Sequence, residues 1–274
     1  MQSHTLVGCD IAGPVQMEFS SLVDLDNKDV EEHKPGVTVQ NFSSQGQMWR
    51  VYCRTTGRVH QYMSKLEYMV HVVLDLNPCV IDIKDQYPHE LRVSIEQAVK
   101  LGINHIPQNS KEKVPLTTDI VVVFAGIDGA PNFTAAIYVK YLKDFVKYSI
   151  AEKLQLERES IAQTGAPLFI ASEETINKTI WKSLDWMATV NIEHLEGDTT
   201  IEYATEIHEI LQDYPEEKLT TVLNQLDQQE GVPDGYYLKE FKCLLQYGLL
   251  SFDLTKNVLF LECGDIELTH EVQS

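Results

Sequence analysis

The chain has 274 residues, of which 43% are hydrophobic and 23% charged, as in globular proteins of one or two domains. Its net charge of -19 argues against a surface that attracts polyanions everywhere. No apolar stretch approaches the roughly 20 residues that span a bilayer, and the five cysteines lack CxxC spacing. We therefore expect a soluble, unsecreted protein with no membrane partner, in a reducing cytoplasm.

The first half of the chain predicts an α/β domain with a mixed sheet. Residues 1–36 lack sustained periodicity and form the predicted N-terminal extension. A helix is predicted from Ser64, a half-buried strand over 79–84 and a hairpin over 118–140. Apolar residues then recur every four positions from Leu142 to Leu154, which predicts a long helix, and 166–171 predicts a buried strand. Residues 37–172 form the predicted catalytic domain.

The last part, 173–274, predicts a second, mostly helical domain of winged-helix type. A helix is expected over 236–246 with Gly248 as its cap, followed by a hairpin that pairs 249–253 with 258–262. This domain lacks arginines on its expected recognition helix, and its acidic segment from Glu193 to Glu209 is predicted to face a basic partner. We therefore expect it to dock proteins more than to recognise bases.

Three charged residues suggest metal-dependent phosphodiester hydrolysis: Glu67 on the helix, Asp119 at the start of a strand and Lys140 at the end of the next strand. A turn centred near Gly129 and Ala130 would place Asp119 opposite Lys140. Carboxylates are hard ligands for Mg²⁺, and an ammonium offsets developing negative charge. Two simpler interpretations remain open: Glu67 completes a capping box begun by Ser64, and Asp119 and Lys140 form a cross-strand ion pair.

The order of motifs over 36–187 resembles the TnsA family, the endonuclease subunits of heteromeric Tns transposases. The motifs are GVTVQ at 36–40, RVY at 50–52, TGRVH at 56–60, SxLE at 64–67, VxDIKxQYP at 80–88, TD at 118–119, IxVK at 137–140, EKLxLER at 152–158, PLFI at 167–170 and ExIN at 174–177. The resemblance implies a restriction-endonuclease-like domain followed by a winged-helix-like C-terminal domain.

The resemblance also implies the roles of the site residues. Glu67 and Asp119 are expected to bind Mg²⁺, for which Mn²⁺ can substitute, with the Val139 carbonyl as a further ligand and Lys140 assisting the attacking water. Tyr138 stands where the family has glutamine, and a phenol is a poor ligand for Mg²⁺ at neutral pH. Glu157 matches a family glutamate and is expected either beside the metal ligands or as a helix-surface charge.

A locally basic segment provides the expected DNA contacts, because 33–66 contains no Asp or Glu. The expected DNA-binding residues are Arg50, Arg54, Arg58, His60, Lys143 and Lys147. The resemblance implies transposon-end DNA, a TnsB-like DDE transposase and a TnsC-like AAA+ ATPase as partners, and action in the bacterial cytosol at the nucleoid. Two rival hypotheses are a catalytically lapsed assembly subunit and a stand-alone nuclease.

Overall fold

The computed structural model describes residues 33–36, 48–105, 115–126, 130–190 and 201–269. Most of the predicted N-terminal extension, and the first half of the acidic segment that begins at Glu193, lie outside these ranges. The contacts divide the chain between Ile176 and Asn177 into two units, and each is described by itself. The predicted domain boundaries stay predictions.

The described residues of the first unit form six strands and three α-helices. In chain order they are β1 (Trp49–Cys53), β2 (Arg58–Tyr62), α1 (Lys65–Asp75), β3 (Val80–Pro88), α2 (Leu91–Leu101), β4 (Thr117–Phe124), β5 (Phe133–Val139), α3 (Tyr148–Ile161) and β6 (Leu168–Ala171). The β1–β2 hairpin and α2 had not been predicted from the sequence. Strand β3 does not alternate as expected, since it is buried without interruption from Asp82 to Gln86.

A four-stranded mixed sheet in the order β3-β4-β5-β6 forms the centre of the first unit. Strands β3, β4 and β5 are antiparallel neighbours, and β6 runs parallel to β5. The β-branched run of β4 fills the core, with Ile120, Val121, Val122 and Val123 all at most 2% exposed. The predicted α/β class with a mixed sheet is confirmed.

The predicted register of the β4–β5 hairpin is wrong by two residues. Phe124 pairs with Phe133 and Ile120 with Ile137. Continuing the same register by one pair places Asp119 opposite Tyr138. Because these pairs centre the hairpin one residue earlier than the sequence suggested, Lys140 is a diagonal neighbour of Asp119 and still on the same face of the sheet.

The predicted long helix after Lys140 is also wrong in its first part. Residues Leu142–Asp144 form a single 3₁₀ turn, and α3 begins only at Tyr148. The spacing of four was misleading because these positions do not contact the core: Val146 is 88% exposed. Lys143 and Lys147 therefore do not follow Lys140 along one helical face.

Over the ranges 177–190 and 201–269, the second unit has four α-helices and one short antiparallel strand pair. They are α4 (Lys178–Met187), α5 (Ile201–Gln212), α6 (Leu219–Glu230), α7 (Tyr236–Gln246), β7 (Leu250–Ser251) and β8 (Glu267–Leu268). The predicted α7 is confirmed at both ends, and Gly248 after it has φ +69° as the expected cap. The mostly helical character is confirmed, and the winged-helix assignment stays a prediction.

The partner of the penultimate strand differs from the predicted one. Strand β7 pairs with β8, and Val258–Phe260 forms a 3₁₀ turn instead of a strand. The Asn257 side chain accepts a hydrogen bond from the Leu259 N–H at 3.1 Å, which starts a helical turn where the apolar letters suggested a strand. Among the described helices, none is long and apolar enough to cross a membrane.

Candidate active site

Glu67 combines a capping role with burial. Ser64 is the N-cap of α1, and its hydroxyl accepts from the Glu67 N–H at 3.2 Å and donates to Glu67 Oε1 at 2.8 Å. The Met63 N–H donates to Glu67 Oε2 at 2.9 Å. The Ser64 cap of the predicted capping box is confirmed, but the Glu67 side chain accepts from the Met63 N–H and not from the Ser64 N–H that a full capping box uses. Glu67 is also only 6% exposed. A surface cap does not need that burial, so the helix start also carries Glu67 into the interior.

Asp119 lies in β4 between the two strands that flank it. Its neighbours across the strands are Gln86 of β3, which lies between the pairs Asp85–Ile120 and Tyr87–Thr118, and Tyr138 of β5. The Val139 N–H donates to Asp119 Oδ2 at 2.8 Å. The Asp119 carboxylate is thus held by the last residue of β5, immediately before Lys140.

The two carboxylates repel each other. Burial, followed by the negative charge of Asp119, raises the pKa of Glu67 to about 7. Burial also raises the pKa of Asp119, although Lys153, the Val139 N–H and Lys140 act in the opposite direction. Two buried carboxylates this close cost free energy when both are ionised. A divalent cation between them would offset the repulsion, so these oxygen donors fit a hard cation.

Lys140 stands beside both carboxylates. Its backbone N–H donates to the Ala171 carbonyl at 3.0 Å, which fixes the end of β5 against β6. Its positive charge lowers the pKa of Glu67 and the pKa of Asp119. The structure therefore brings together the three residues that the sequence suggested, although by a different strand register.

Tyr138 occupies the other side of Asp119 and is an unsuitable ligand. The side chain is 1% exposed, and its hydroxyl makes no hydrogen bond to any residue in the described ranges. Burial raises the pKa of the Tyr138 hydroxyl, so it stays neutral. This agrees with the expectation that a phenol at this position does not coordinate a cation.

Glu157 is buried, which excludes the helix-surface alternative. It is fully shielded from solvent, and Lys153 one turn earlier on α3 places Nζ 3.2 Å from Glu157 Oε1. Burial raises the pKa of Glu157 to about 8, opposed by Lys153 and reinforced by Asp119. The same ammonium lies 5.8 Å from the ring centre of Tyr138. Burial alone would lower the pKa of Lys153. The negative charges of Glu157 and Asp119 have the larger combined effect and raise the pKa of Lys153.

Two residues of this site, Lys153 and Gln86, had not been found from the sequence. Lys153 had a usable signal, since it precedes Glu157 by four positions on one helix. Gln86 is 4% exposed and donates from Nε2 to Glu67 Oε2 at 3.1 Å. Its signal was its place in the VxDIKxQYP motif at 80–88, two residues beyond the predicted strand end at Lys84.

The expected DNA-binding residues are not brought to one surface. Arg50, Lys143 and Lys147 are exposed, and Lys147 is paired with Asp144. His60 is fully buried beside Asp85, with Nδ1 3.2 Å from Asp85 Oδ1, so its predicted DNA contact is wrong.

The arginines of the hairpin are engaged within the protein. Arg58 donates to Asp82 Oδ1 at 2.8 Å and to the Ile83 carbonyl at 2.7 Å. Arg54 donates to the Asp75 carbonyl at 3.0 Å. These contacts direct both guanidinium groups toward the fold, and the DNA contacts of Arg54 and Arg58 stay predictions.

A second group of ligand-type side chains lies where α1 meets the β1–β2 hairpin. The ligating atoms of Cys53, His71 and Asp75 are within 4.8 Å of one another. Asp75 already accepts from Cys53 Sγ and from the Thr55 and Arg54 N–H groups. Burial, with the charge of Asp75, raises the pKa of Cys53 to about 12, so the thiol stays protonated. The contacts are those of a structural anchor.

Comparison with known proteins places the chain in a family. A model described as the TnsA-like endonuclease N terminal matches residues 77–173, and a model described as the TnsA endonuclease C terminal matches 175–254. The chain is 28% identical over 242 residues to the Transposon Tn7 transposition protein TnsA of Escherichia coli, covering 88% of this chain and 87% of that protein. Together these matches show that the chain belongs to the TnsA family of transposition endonucleases.

Proposed function

We propose that this chain is the metal-dependent endonuclease subunit of a heteromeric cut-and-paste transposase, and that it cleaves the 5′-end strands at the transposon ends. The observation that carries the proposal is the pair of mutually repelling carboxylates, Glu67 and Asp119, with Lys140 beside them. Membership of the TnsA family supports the nuclease chemistry.

The donor set suits Mg²⁺, with Mn²⁺ able to replace it. Glu67 and Asp119 would supply carboxylate oxygens and Val139 its backbone carbonyl, and all three are the hard ligands that these cations take. A cation bound there would neutralise charge on the scissile phosphate and favour ionisation of an attacking water.

The remaining residues of the site orient the Asp119 carboxylate and offset negative charge near the phosphate. Lys140 places an ammonium where negative charge develops on the phosphate, and this charge in a partly shielded site is worth more than it would be in water. The Val139 N–H holds Asp119 in one orientation. Glu157 and Lys153 form a pair next to Asp119 and Tyr138, and we assign them to maintaining the local charge.

Two partner proteins complete the reaction. A TnsB-like DDE transposase would cut the 3′ ends and supply most of the end recognition, and a TnsC-like AAA+ ATPase would license the process. The net charge of -19 supports this division, because an acidic chain gains little DNA affinity from its own field. Action at transposon-end DNA places the protein at the nucleoid of the bacterial cytosol.

One observation favours a second candidate, a catalytically lapsed assembly subunit. Tyr138 is buried and makes no hydrogen bond to a described residue, where the family resemblance implies a glutamine, so one polar group of the site is missing. In that case the chain would bridge transposase and ATPase without cutting.

Nicking of matched transposon ends, in the presence of both partners, distinguishes the two candidates. We expect cutting with Mg²⁺, none with EDTA, and a rate about 100-fold lower for Lys140→Ala. Lys100→Ala, an exposed lysine on α2, is the matched control and should cut at the wild-type rate. Equal rates for both lysine variants would favour the lapsed subunit.

A further inference from the structure

Gln86 has a backbone conformation that is unusual for its place in the sheet. It lies within β3, between the pairs Asp85–Ile120 and Tyr87–Thr118, and so stands opposite Asp119. Its φ is +45°, and among the described residues it is the one non-glycine with positive φ. Residues with side chains rarely adopt this conformation, and such strain persists where the surroundings hold it in place.

The surroundings of Gln86 do hold it. The Gly36 N–H donates to the Gln86 carbonyl at 2.9 Å. A Cβ at Gly36 would lie 2.6 Å from Thr117 Cγ2, so only glycine allows this close approach. The positive φ of Gln86 is therefore accompanied by a specific contact to its backbone carbonyl.

The side chain of Gln86 contacts both carboxylates of the site. Nε2 donates to Glu67 Oε2 at 3.1 Å, and the same amide interacts with the Asp119 carboxylate. The residue is 4% exposed, so water does not compete strongly for these contacts. Of the two residues that flank Asp119 in the sheet, Tyr138 directs no hydrogen bond to a described residue, so Gln86 provides the side-chain contact.

We infer that Gln86 is a positioning residue for the proposed cation site. From β3, on the other side of Asp119 from Tyr138, its side chain holds Glu67 and Asp119 in one arrangement. This inference rests on the proposed function. An amide NH₂ has two donors, one for each carboxylate, and it contributes no charge. Without it the repelling carboxylates are free to turn apart, and a cation must then reorder them on binding.

Binding of Mn²⁺ to the full-length protein without DNA tests the inference. The probe is the signal of free Mn²⁺ in electron paramagnetic resonance. We expect Gln86→Leu and Gln86→Gly to bind Mn²⁺ about 10- to 100-fold more weakly than wild type. Gln97→Leu, which replaces a buried glutamine of α2, is the matched control and should bind as wild type. Circular dichroism checks that each variant is folded.

The glycine variant separates positioning from a role in the fold alone. Glycine adopts φ +45° without strain, so Gln86→Gly keeps the backbone and loses only the amide. Wild-type Mn²⁺ affinity in Gln86→Gly would overturn the inference. Asp119→Ala tests the proposed function separately: if it binds Mn²⁺ as wild type does, the cation site itself is wrong and the inference falls with it. If Asp119→Ala loses Mn²⁺ while both Gln86 variants keep it, only the inference fails.

Discussion

Buried acids at the site make the stability of the cation-free protein depend on pH. Burial raises the pKa of Glu157 to about 8, and burial with the charge of Asp119 raises the pKa of Glu67 to about 7. Unfolded glutamates titrate near pH 4.3, so between about pH 5 and 8 the folded chain holds more protons than the unfolded chain. The stability that these protons contribute is complete below the unfolded pKa and is lost as the pH rises through the folded pKa.

Glu157→Gln should therefore flatten the pH dependence. One titrating group changes the free energy of unfolding by at most about 1.4 kcal/mol per pH unit. The buried histidines His60, His71 and His89 act in the opposite direction in both proteins, because burial lowers their pKa values. The prediction therefore concerns the difference between the two proteins. We expect the free energy of unfolding of the wild type minus that of the variant, measured with denaturant in EDTA, to fall from pH 5 to pH 8 by the share of one group. Parallel curves for the two proteins would show that Glu157 does not hold a proton in this range.

Tyr138→Phe tests whether the hydroxyl at that position has any function. The hydroxyl is buried and makes no hydrogen bond to a described residue, and an unsatisfied group of this kind costs about 1 to 3 kcal/mol. We expect the variant to be more stable by about 1 kcal/mol in urea unfolding and to nick DNA at the wild-type rate. Slower nicking with unchanged folding would mean that the hydroxyl contacts the substrate or a ligand.

At the scale of elements, α1 presents a buried polar stripe at a spacing of four residues. Glu67, His71 and Asp75 all lie on one face, and all are at most 8% exposed. Glu67 is part of the proposed cation site, whereas Asp75 accepts from the Thr55 and Arg54 N–H groups and so fastens the turn between β1 and β2. His71 lies between them, with Nε2 4.0 Å from Asp75 Oδ2 and Nδ1 2.8 Å from the Tyr62 hydroxyl.

Asp75→Ala should loosen the hairpin. The change leaves two backbone N–H groups and the Cys53 thiol without their acceptor in a shielded position, at a cost of about 3 kcal/mol. Urea unfolding measures the loss, and hydrogen exchange should show faster exchange at Arg54 and Thr55. Asp213→Ala, at an exposed position on the second unit, is the control and should change neither. Unchanged exchange at the hairpin would contradict the anchoring role.

The elements that the sequence predicted well are those with local signals. Ser64 and Glu67 mark the start of α1, and Gly248 marks the end of α7, because caps and periodicity depend on neighbours in the chain. The strand register had no such signal: it depends on a long connection between β4 and β5, and a small shift of its centre changed the partner of Asp119. The partner of β7 was likewise set by a distant segment.

The same limit applies to the site. Glu67, Asp119 and Lys140 were found because carboxylates and a lysine suggest a metal site and match a family pattern. Gln86 and Lys153 also stand in the family motifs, but their residue types suggest no role until the fold brings them to Asp119. The expected DNA contacts show a related limit. A segment without acids looked like a basic surface, but Arg58 finds its acidic partner Asp82 beyond that segment.

At the scale of the whole molecule, an acidic chain must act on a polyanion. The net charge of -19 disfavours independent capture of DNA, while the site has the carboxylates and the ammonium needed for hydrolysis. The proposed function resolves the conflict by a division of labour, in which a DNA-binding transposase would deliver the ends and this chain would cut the strands that the transposase leaves intact. The account therefore requires strand-specific cutting that depends on Asp119.

Strand-resolved mapping of Mg²⁺-dependent breaks at matched transposon ends tests this requirement most directly. The reaction contains the partner transposase and the ATPase regulator, and it compares wild type with Asp119→Ala. We predict that the variant loses the 5′-side breaks and keeps the 3′-side breaks, with complex assembly unchanged. Identical break patterns for the two proteins would contradict the account and leave this chain as an assembly factor.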